Sequence, residues 1–434
     1  MRPRKSRRSR LFASALTLLG IALSAAANAQ ANLPGAPPIY GGDPPPAAAD
    51  GHAEEALPLG NWLVYPGAFV GAALDSNPDH TPSSRPALGL SLAANLAAEN
   101  GDGVRRTTIY SASIGQFFPG RSEPDHTGDL VATRTGLLEK YDPAEDLRFT
   151  AQADFTRQQD VFGNFGVGRN ISNLNPAGTG LAPTANPVSY NQFAGTATAQ
   201  KKFVPAFLIV AGSIVGQRYD EGATISPSGT VYTGIAKAGY WLTPDAYSFL
   251  QASLDRRDYG RPLGSSGYRV VVGLGAGGKG LLQGEVYAGY QEERPDTAAI
   301  GTGAGAVFGG RGSYRPLPEL ALDATVDRAI GAVFGNPAPA ANAATATETT
   351  TFLAQADYRI APEWTAVTSA GYIFTRYERS SRRDGAWTLG IGATYSVWRS
   401  LGLTLNYQHI EVDSNVRQQS FADDAMTVGL SYKY

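Results

Sequence analysis

From Trp62 to the end of the chain, apolar and polar residues alternate with a period of two. A strand with one oily face and one wet face has that period, because successive side chains point to opposite sides of the backbone. In "LRFTAQADFT", Leu147, Phe149, Ala151, Ala153 and Phe155 alternate with Arg148, Thr150, Gln152, Asp154 and Thr156. In "TFLAQADYRI", Phe352, Ala354, Ala356, Tyr358 and Ile360 oppose Thr351, Gln355, Asp357 and Arg359. "LQGEVYAGYQ" sets Val286, Ala288 and Tyr290 against Gln283, Glu285 and Gln291. The closing "AMTVGLSYKY" puts Met426, Val428, Leu430, Tyr432 and Tyr434 on one side and Thr427, Gly429, Ser431 and Lys433 on the other.

The pattern predicts eighteen strands: 62–74, 85–98, 104–117, 128–140, 147–157, 189–201, 206–219, 229–241, 247–258, 267–277, 281–292, 298–312, 319–332, 349–360, 364–377, 385–397, 400–412 and 423–434. Merging segments around 86–140 and 298–314 would make sixteen. Short turns, several carrying proline, occur at 141–146, 202–206, 242–246, 277–280, 316–320, 360–364 and 398–401. Longer polar loops at 75–84, 158–188, 220–228, 259–266, 334–348, 378–384 and 413–422 intervene. A repeat of this length also suits propeller blades, but two long strands fill each repeat here, with no WD or kelch signature. Strands of soluble sandwiches average about five or six residues, whereas crossing hydrocarbon takes about 9–11 tilted residues. The expected fold is therefore all-β, a transmembrane antiparallel up-and-down barrel with both termini on the short-turn side. Trp62, Tyr65, Tyr240, Trp241, Tyr247, Phe249, Trp364, Trp387 and Trp398 fall at strand ends, where interfacial girdles are expected.

Ahead of the strands lie two segments of other character. Residues 1–29 hold six basic residues, the apolar run "LFASALTLLGIAL" and the small-residue stretch "SAAANAQ". That is the composition of a secretory leader cut between Ala29 and Gln30; the apolar run is short of the ~20 residues of a spanning helix. Residues 30–59 are too rich in Pro, Ala and Gly to bury a core and read as a periplasmic tether preceding a barrel domain over 60–434.

Composition fits this picture. Gly is 51 of 434 residues, well above the usual ~7%. Without the leader, 30 Lys and Arg face 38 Asp and Glu, a net charge of about −8, which disfavours nucleic acid as a partner. The chain has no cysteine, which excludes disulfides and thiolate zinc sites.

Several short motifs link the chain to known proteins: the opening "NWLVYPGAFVGAALDSN", "LTPDAYSFLQASLDRRDYG", "LLQGEVYAGYQEE", and the close "LGLTLNYQHIEVDSN" with "AMTVGLSYKY". In these the chain resembles the β-barrel porin family of outer-membrane proteins, including barrels that accompany exopolysaccharide systems. The resemblance implies a barrel of about eighteen strands in the outer membrane of a Gram-negative bacterium, in contact with lipid and lipopolysaccharide. It also implies polysaccharide export, with a periplasmic export protein docking on the tether. The alternating end Met426, Val428, Leu430, Tyr432 and Tyr434 resembles the carboxy-terminal signal read by the barrel assembly machinery. Other functions stay open: a general or selective diffusion porin, a closed structural barrel, or an adhesive one.

Candidate chemistry is sparse. "GLGAGGKG" (273–280) nearly spells a phosphate-binding loop, but Gly280 stands where Ser or Thr is required and no helix follows. Both it and "GTGAGAVFGG" (301–310) read as tight glycine turns, so no cofactor and no metal are expected. Of four histidines, His52, His80 and His126 lie in the tether and loops, and His409 has Glu411, Asp413 and Ser414 near it in sequence; no catalytic motif is recognisable, and the expected protein is not an enzyme. "DSN" occurs twice, placing Asp75, Asn77, Asp413 and Asn415 at the outer mouth as cation or sugar ligands, or simply as turn-forming residues. The best functional candidates are the residues on the wet face: Arg148, Gln152, Asp154, Asp255, Arg257, Gln283, Glu285, Asp323, Asp327, Gln355, Asp357 and Arg359. They would either line a pore or brace the barrel through ion pairs.

Overall fold

The computed structural model describes residues 56–77, 85–119, 130–160, 188–219, 228–258, 264–277, 281–297, 301–332, 346–378, 380–415 and 420–433. The leader, the tether up to residue 55, His52, His80, His126, residues 278–280 and Tyr434 lie outside them. The elements are β1 (Leu57–Leu59), β2 (Trp62–Asp75), β3 (Ala87–Gly101), β4 (Arg105–Phe117), β5 (Leu130–Ala144), β6 (Leu147–Asp160), β7 (Val188–Lys202), β8 (Ala206–Tyr219), β9 (Gly229–Thr243) and β10 (Ala246–Asp258). They continue with β11 (Ser265–Ala276), β12 (Leu282–Pro295), β13 (Gly303–Leu317), β14 (Leu320–Ala332), β15 (Ala346–Ala361), β16 (Trp364–Tyr377), β17 (Arg383–Trp398), β18 (Leu401–Ser414) and β19 (Phe421–Lys433).

Each strand from β2 to β19 pairs antiparallel with the next, and β19 pairs with β2 from Ala425↔Asp75 to Lys433↔Gly67. The wall is a closed eighteen-stranded barrel. β1 folds back on β2 through Gly60, whose φ of 62° is the left-handed geometry a two-residue hairpin needs. Leu63 pairs with β3 on its other edge, so β1 occupies, nearer the short turns, the lane that β19 fills higher up.

All eighteen expected strands are present, and the strand expected at 298–312 shows the largest displacement, lying at Gly303–Leu317. Glycine is neutral in the apolar–polar pattern, so "GTGAGAVFGG" carries little information on where the strand begins. Proline marks the short-turn ends: register shifts between Tyr141 and Ala144 and between Tyr314 and Leu317 enclose Pro143 and Pro316. A residue without an N–H fits a strand only where the ladder is already broken.

The outward face carries Val70, Leu92, Val210, Leu250, Val272, Val286, Leu389, Ile391, Leu405 and Val428, all exposed. In water such a continuous apolar surface would drive association; in lipid it is solvated. Toward the short turns lie exposed Tyr141, Tyr240, Tyr314, Tyr358, Trp364, Tyr395 and Tyr432, and toward the loops Phe155, Phe193, Tyr232, Tyr290, Phe308, Phe352 and Trp387. These form the two aromatic girdles. Four of the nine aromatics expected there belong elsewhere: Tyr65, Trp241, Tyr247 and Phe249 share the inner face by register. Glycines on neighbouring strands explain the inward aromatics. A Cβ on Gly275 would lie 2.1 Å from Tyr247 Cζ, on Gly273 2.4 Å from Phe249 Cζ, and on Gly239 2.0 Å from Phe207 Cζ. The rings lie flat in those gaps.

The same device closes the barrel. Gly71 and Gly429 face each other inwardly across the β2–β19 ladder, with the Phe69 ring over both. A Cβ on Gly429 would lie 2.3 Å from Val70 O and 2.5 Å from Gly71 Cα, both rigid backbone atoms. Gly429→Val is expected to destabilise the folded barrel by about 1–3 kcal/mol in urea titrations, the usual cost of overpacking. Gly234→Ala, at a site with nothing within 4 Å, should leave the transition in place; equal transitions for the two variants would contradict the close seam.

Candidate functional site: the lumen wall

Alternation and register place all twelve wet-face candidates on the inner wall. Six of them, Gln152, Asp154, Asp255, Arg257, Glu285 and Asp327, join three buried clusters, each completed by residues that the sequence pattern did not single out.

The first spans β4–β6. Arg134 Nε donates to Asp154 Oδ1 at 2.9 Å, Gln152 Nε2 donates to Asp154 Oδ2 at 2.8 Å, and the Tyr110 hydroxyl donates to Asp154 Oδ1. The second spans β9, β10 and β12. Lys237 pairs with Glu285, both side chains wholly buried, and Tyr247 Oη donates to Glu285 Oε1 at 2.5 Å. The ammonium also stands 3.9 Å from the Phe249 ring centroid. The third spans β10–β14. Arg257 lies 3.2 Å from Asp255 and 3.5 Å from Glu293; Arg269 lies 3.3 Å from Asp327 and stacks over Tyr287, whose hydroxyl donates to the same carboxylate. Gly267 makes the room: a Cβ there would be 2.3 Å from Glu293 Oε2 and 2.7 Å from Asp255 Oδ1.

The remaining candidates sit apart from these clusters. Gln355 Nε2 donates to Asp357 Oδ2 at 2.9 Å, and Arg359 lies 3.7 Å from Glu319 at the short-turn rim. Arg148 Nε donates to Asp142 Oδ1 at 2.8 Å on the same rim. Gln283 and Asp323 occupy inner-face positions opposite Ser313 of β13. Rim carboxylates are held ionised by their turns. The Lys201 ammonium, hydrogen-bonded to Asp146, keeps that carboxyl below its ordinary value, and the N–H groups of Arg105 and Val104 do the same for Asp102.

From the loop end of β15 across β16–β19 the inner face is rich in hydroxyls: Thr349 with Thr375 at 3.3 Å, Thr394 with Thr404 at 3.3 Å, and Thr404 with Ser431 at 3.1 Å. One side of the lumen is thus charged and aromatic, the other lined with small alcohols.

At the loop end of the seam, Asp75 Oδ1 accepts the Asn77 N–H at 2.9 Å, an Asx turn. The same N–H reaches Asp423 Oδ1 at 3.0 Å, Asn77 Nδ2 donates to Ala422 O at 2.9 Å, and Ser76 Oγ accepts the Asp424 N–H at 2.7 Å. This "DSN" clasps the last strand to the first. In the other, Asn415 Oδ1 accepts the Arg383 N–H at 2.8 Å and Ser414 Oγ donates to Asp384 at 2.6 Å, tying β18 to β17; Asp413 pairs with Gly385 in the ladder. His409 Nδ1 lies 2.9 Å from Asp424, a partner 15 residues away in sequence, instead of meeting Glu411, Asp413 or Ser414. Of the terminal signal residues, Met426, Val428, Leu430 and Tyr432 face outward, exposed on the finished wall.

The sequence reading did not single out Tyr110, Arg134, Lys237, Arg269 and Glu293, and for Lys237 the cause is plain. On β9 the inner face reads Val231, Thr233, Ile235, Lys237, Gly239, Trp241 and the outer Tyr232, Gly234, Ala236, Ala238, Tyr240, Leu242, so neither face is plainly the wet one. Pairing with β10, whose inner face carries Gln251, Ser253, Asp255 and Arg257, supplies the missing parity.

A closed antiparallel barrel with an apolar girdled exterior and a polar interior is a membrane-spanning β-barrel of the porin class. The chain belongs to the family described as "Putative beta-barrel porin 2", whose model matches residues 55–434. No curated protein sequence matches it. Among solved structures it is similar to the outer membrane protein OpdK of Pseudomonas aeruginosa (10% identity, 86% of this chain and 99% of that one, TM-score 0.42) and to OpdL of the same organism (13%, 86% and 99%, 0.42). It is also similar to the siderophore receptor PirA of Pseudomonas aeruginosa (8%, 85% and 80%, 0.40).

The Lys237–Glu285 pair offers a direct test of how the wall is braced. Lys237→Met alone is expected to cost about 3–5 kcal/mol, because it leaves a buried carboxylate without its cation. The double variant Lys237→Met/Glu285→Leu should recover most of that in the same urea titration. Equal losses in the single and double variants would refute a buried pair.

Proposed function

We propose that this protein is a passive channel of the bacterial outer membrane for uncharged, hydroxyl-rich solutes. The observation that carries the reading is that each buried cation of the lumen wall stands against a carboxylate. Arg134 meets Asp154, Lys237 meets Glu285, Arg257 meets Asp255 and Glu293, and Arg269 meets Asp327. A wall of neutralised pairs presents little net field to a passing ion. It still offers amide and hydroxyl groups to sugars, through Gln152, Gln355 and the threonine rows. Barrels of 16–18 strands generally enclose an aqueous path.

The sharper form of the proposal makes the barrel the exit pore for an exopolysaccharide, supplied by a periplasmic export protein docked on residues 30–59. Its supports are the family resemblance and the match between a charge-paired, hydroxyl-bearing wall and a polyhydroxylated polymer. The barrel would reach the membrane through the assembly machinery and sit among lipid and lipopolysaccharide, with no cofactor and no catalytic chemistry.

In planar bilayers the purified protein is expected to give stable steps of conductance with a reversal potential close to zero in a salt gradient. Strong selectivity for anions or cations would refute the reading of a lumen screened by ion pairs, and silence would refute the channel. A deletion strain should lose polysaccharide secretion; normal secretion would confine the function to small solutes.

A further inference from the structure

The β13–β14 ladder stops early. It runs from Leu317↔Leu320 to Phe308↔Arg328, although β13 continues to Gly303 and β14 to Ala332. β14 and β15 remain paired with each other all the way to Ala332↔Ala346. Beyond Arg328 the β14–β15 corner therefore leaves the wall together.

Its destination is the inside of the barrel. Phe308 is exposed on the outer face and Val307 is 1% exposed, so Gly303, Gly305 and Val307 share the inner face of β13. A Cβ on Gly303 would lie 2.4 Å from the Cβ of Ala346 and 3.2 Å from Ile330 Cγ2; one on Gly305 would lie 3.1 Å from Ile330 Cδ1. Ile330 and Ala346 thus lie on the lumen side of β13. By register both share the face that carries Val326 and Phe352 toward lipid lower down. Only a strand displaced inward turns that face against the inner wall.

Past β13, the corner is fastened to β12. Gln291 Nε2 donates to Ile330 O at 2.7 Å and the Ile330 N–H reaches Gln291 Oε1 at 3.3 Å. One side-chain amide makes both backbone hydrogen bonds that a neighbouring strand would have made. Thr347 Oγ1 donates to Gly331 O at 3.4 Å and ties the two strands of the corner together.

We infer that this corner, seated on the glycine stripe of β13 and clamped by Gln291, sets the aperture of the lumen and so the size of solute that passes. The inference rests on the channel reading. It gives "GTGAGAVFGG" a role that is neither nucleotide binding nor turn formation: two absent side chains make the seat.

The experiment uses the full chain, which has no native cysteine. Gly305→Cys/Ile330→Cys is oxidised in folded protein, folding being checked by mobility on unboiled gels. Gln291→Leu removes the clamp at similar volume, and Gly303→Val wedges the seat. The disulfide is expected in the otherwise unaltered chain, and far less of it when Gln291→Leu is added. Gln291→Leu and Gly303→Val channels should conduct about twofold more and admit larger sugars in liposome swelling, since a layer on the order of 10 Å thick leaves the path. Oxidising the cysteine pair should hold conductance at the parental level. Absence of the disulfide in folded protein overturns the inward corner. A disulfide with unchanged conductance in both release variants overturns its role as aperture. Disulfide formation in a barrel that never conducts, with or without the clamp, overturns the channel reading and the aperture with it, while leaving the corner in place.

Discussion

Hydrocarbon offers no partner to a backbone N–H or C=O, and the whole architecture follows from that constraint. A sheet in lipid cannot keep an open edge, so its last strand must find its first. Here Gly67 and Lys433, 366 positions apart in the chain, pair at the seam. Closing a loop of that length costs on the order of 5 kcal/mol in chain entropy. Each backbone group left bare in the membrane would cost several kcal/mol. A ladder from Ala425↔Asp75 to Lys433↔Gly67 outweighs the entropy comfortably. The facing glycines at 71 and 429 let the two strands approach, and the Asp75–Asn77 clasp on β19 fixes the register at the loop end.

Closure then decides what the interior can be. Side chains that point inward crowd against their neighbours on a concave wall, so charges are affordable only in pairs and large rings only beside glycine. Lys237 with Glu285 and Tyr247 beside Gly275 illustrate the two rules within a few residues of each other. The interior is braced by the same groups that would meet a solute, which makes wall stability and channel chemistry inseparable on β9–β14. The threonine rows toward β16–β19 are the softer side, where neutral hydroxyls pair with one another.

The strand count and the oily and wet faces of β6, β12, β15 and β19 were legible in the sequence, because those strands alternate cleanly between lipid and polar positions. β8 and β9 were not. "AFLIVAGSIV" is apolar on both faces, since Phe207 and Ile209 face inward into the apolar cluster with Phe249 and Tyr287 and Val215 is also buried inward, while Leu208, Val210 and Ile214 face lipid. Aromatic residues at strand ends look alike in sequence whether they face lipid or lumen; Tyr240 and Trp241 are adjacent and do opposite things. The clusters themselves depend on partners from three or four strands, as with Arg134, Asp154 and Tyr110, and no local pattern encodes that meeting. The inward corner of β14–β15 was hidden for a different reason: its signal is the absence of side chains at Gly303 and Gly305.

The central claim is that the wall closes between β2 and β19. Ala72 and Val428 are directly paired across that seam, both on the lipid-facing side. A chain carrying Ala72→Cys and Val428→Cys, oxidised in folded detergent-solubilised form, should become an internally cross-linked ring nearly as long as the barrel, migrating distinctly from its reduced form after denaturation. Folded protein in which these two cysteines fail to join, while each joins a cysteine on some other strand, would contradict the closed barrel.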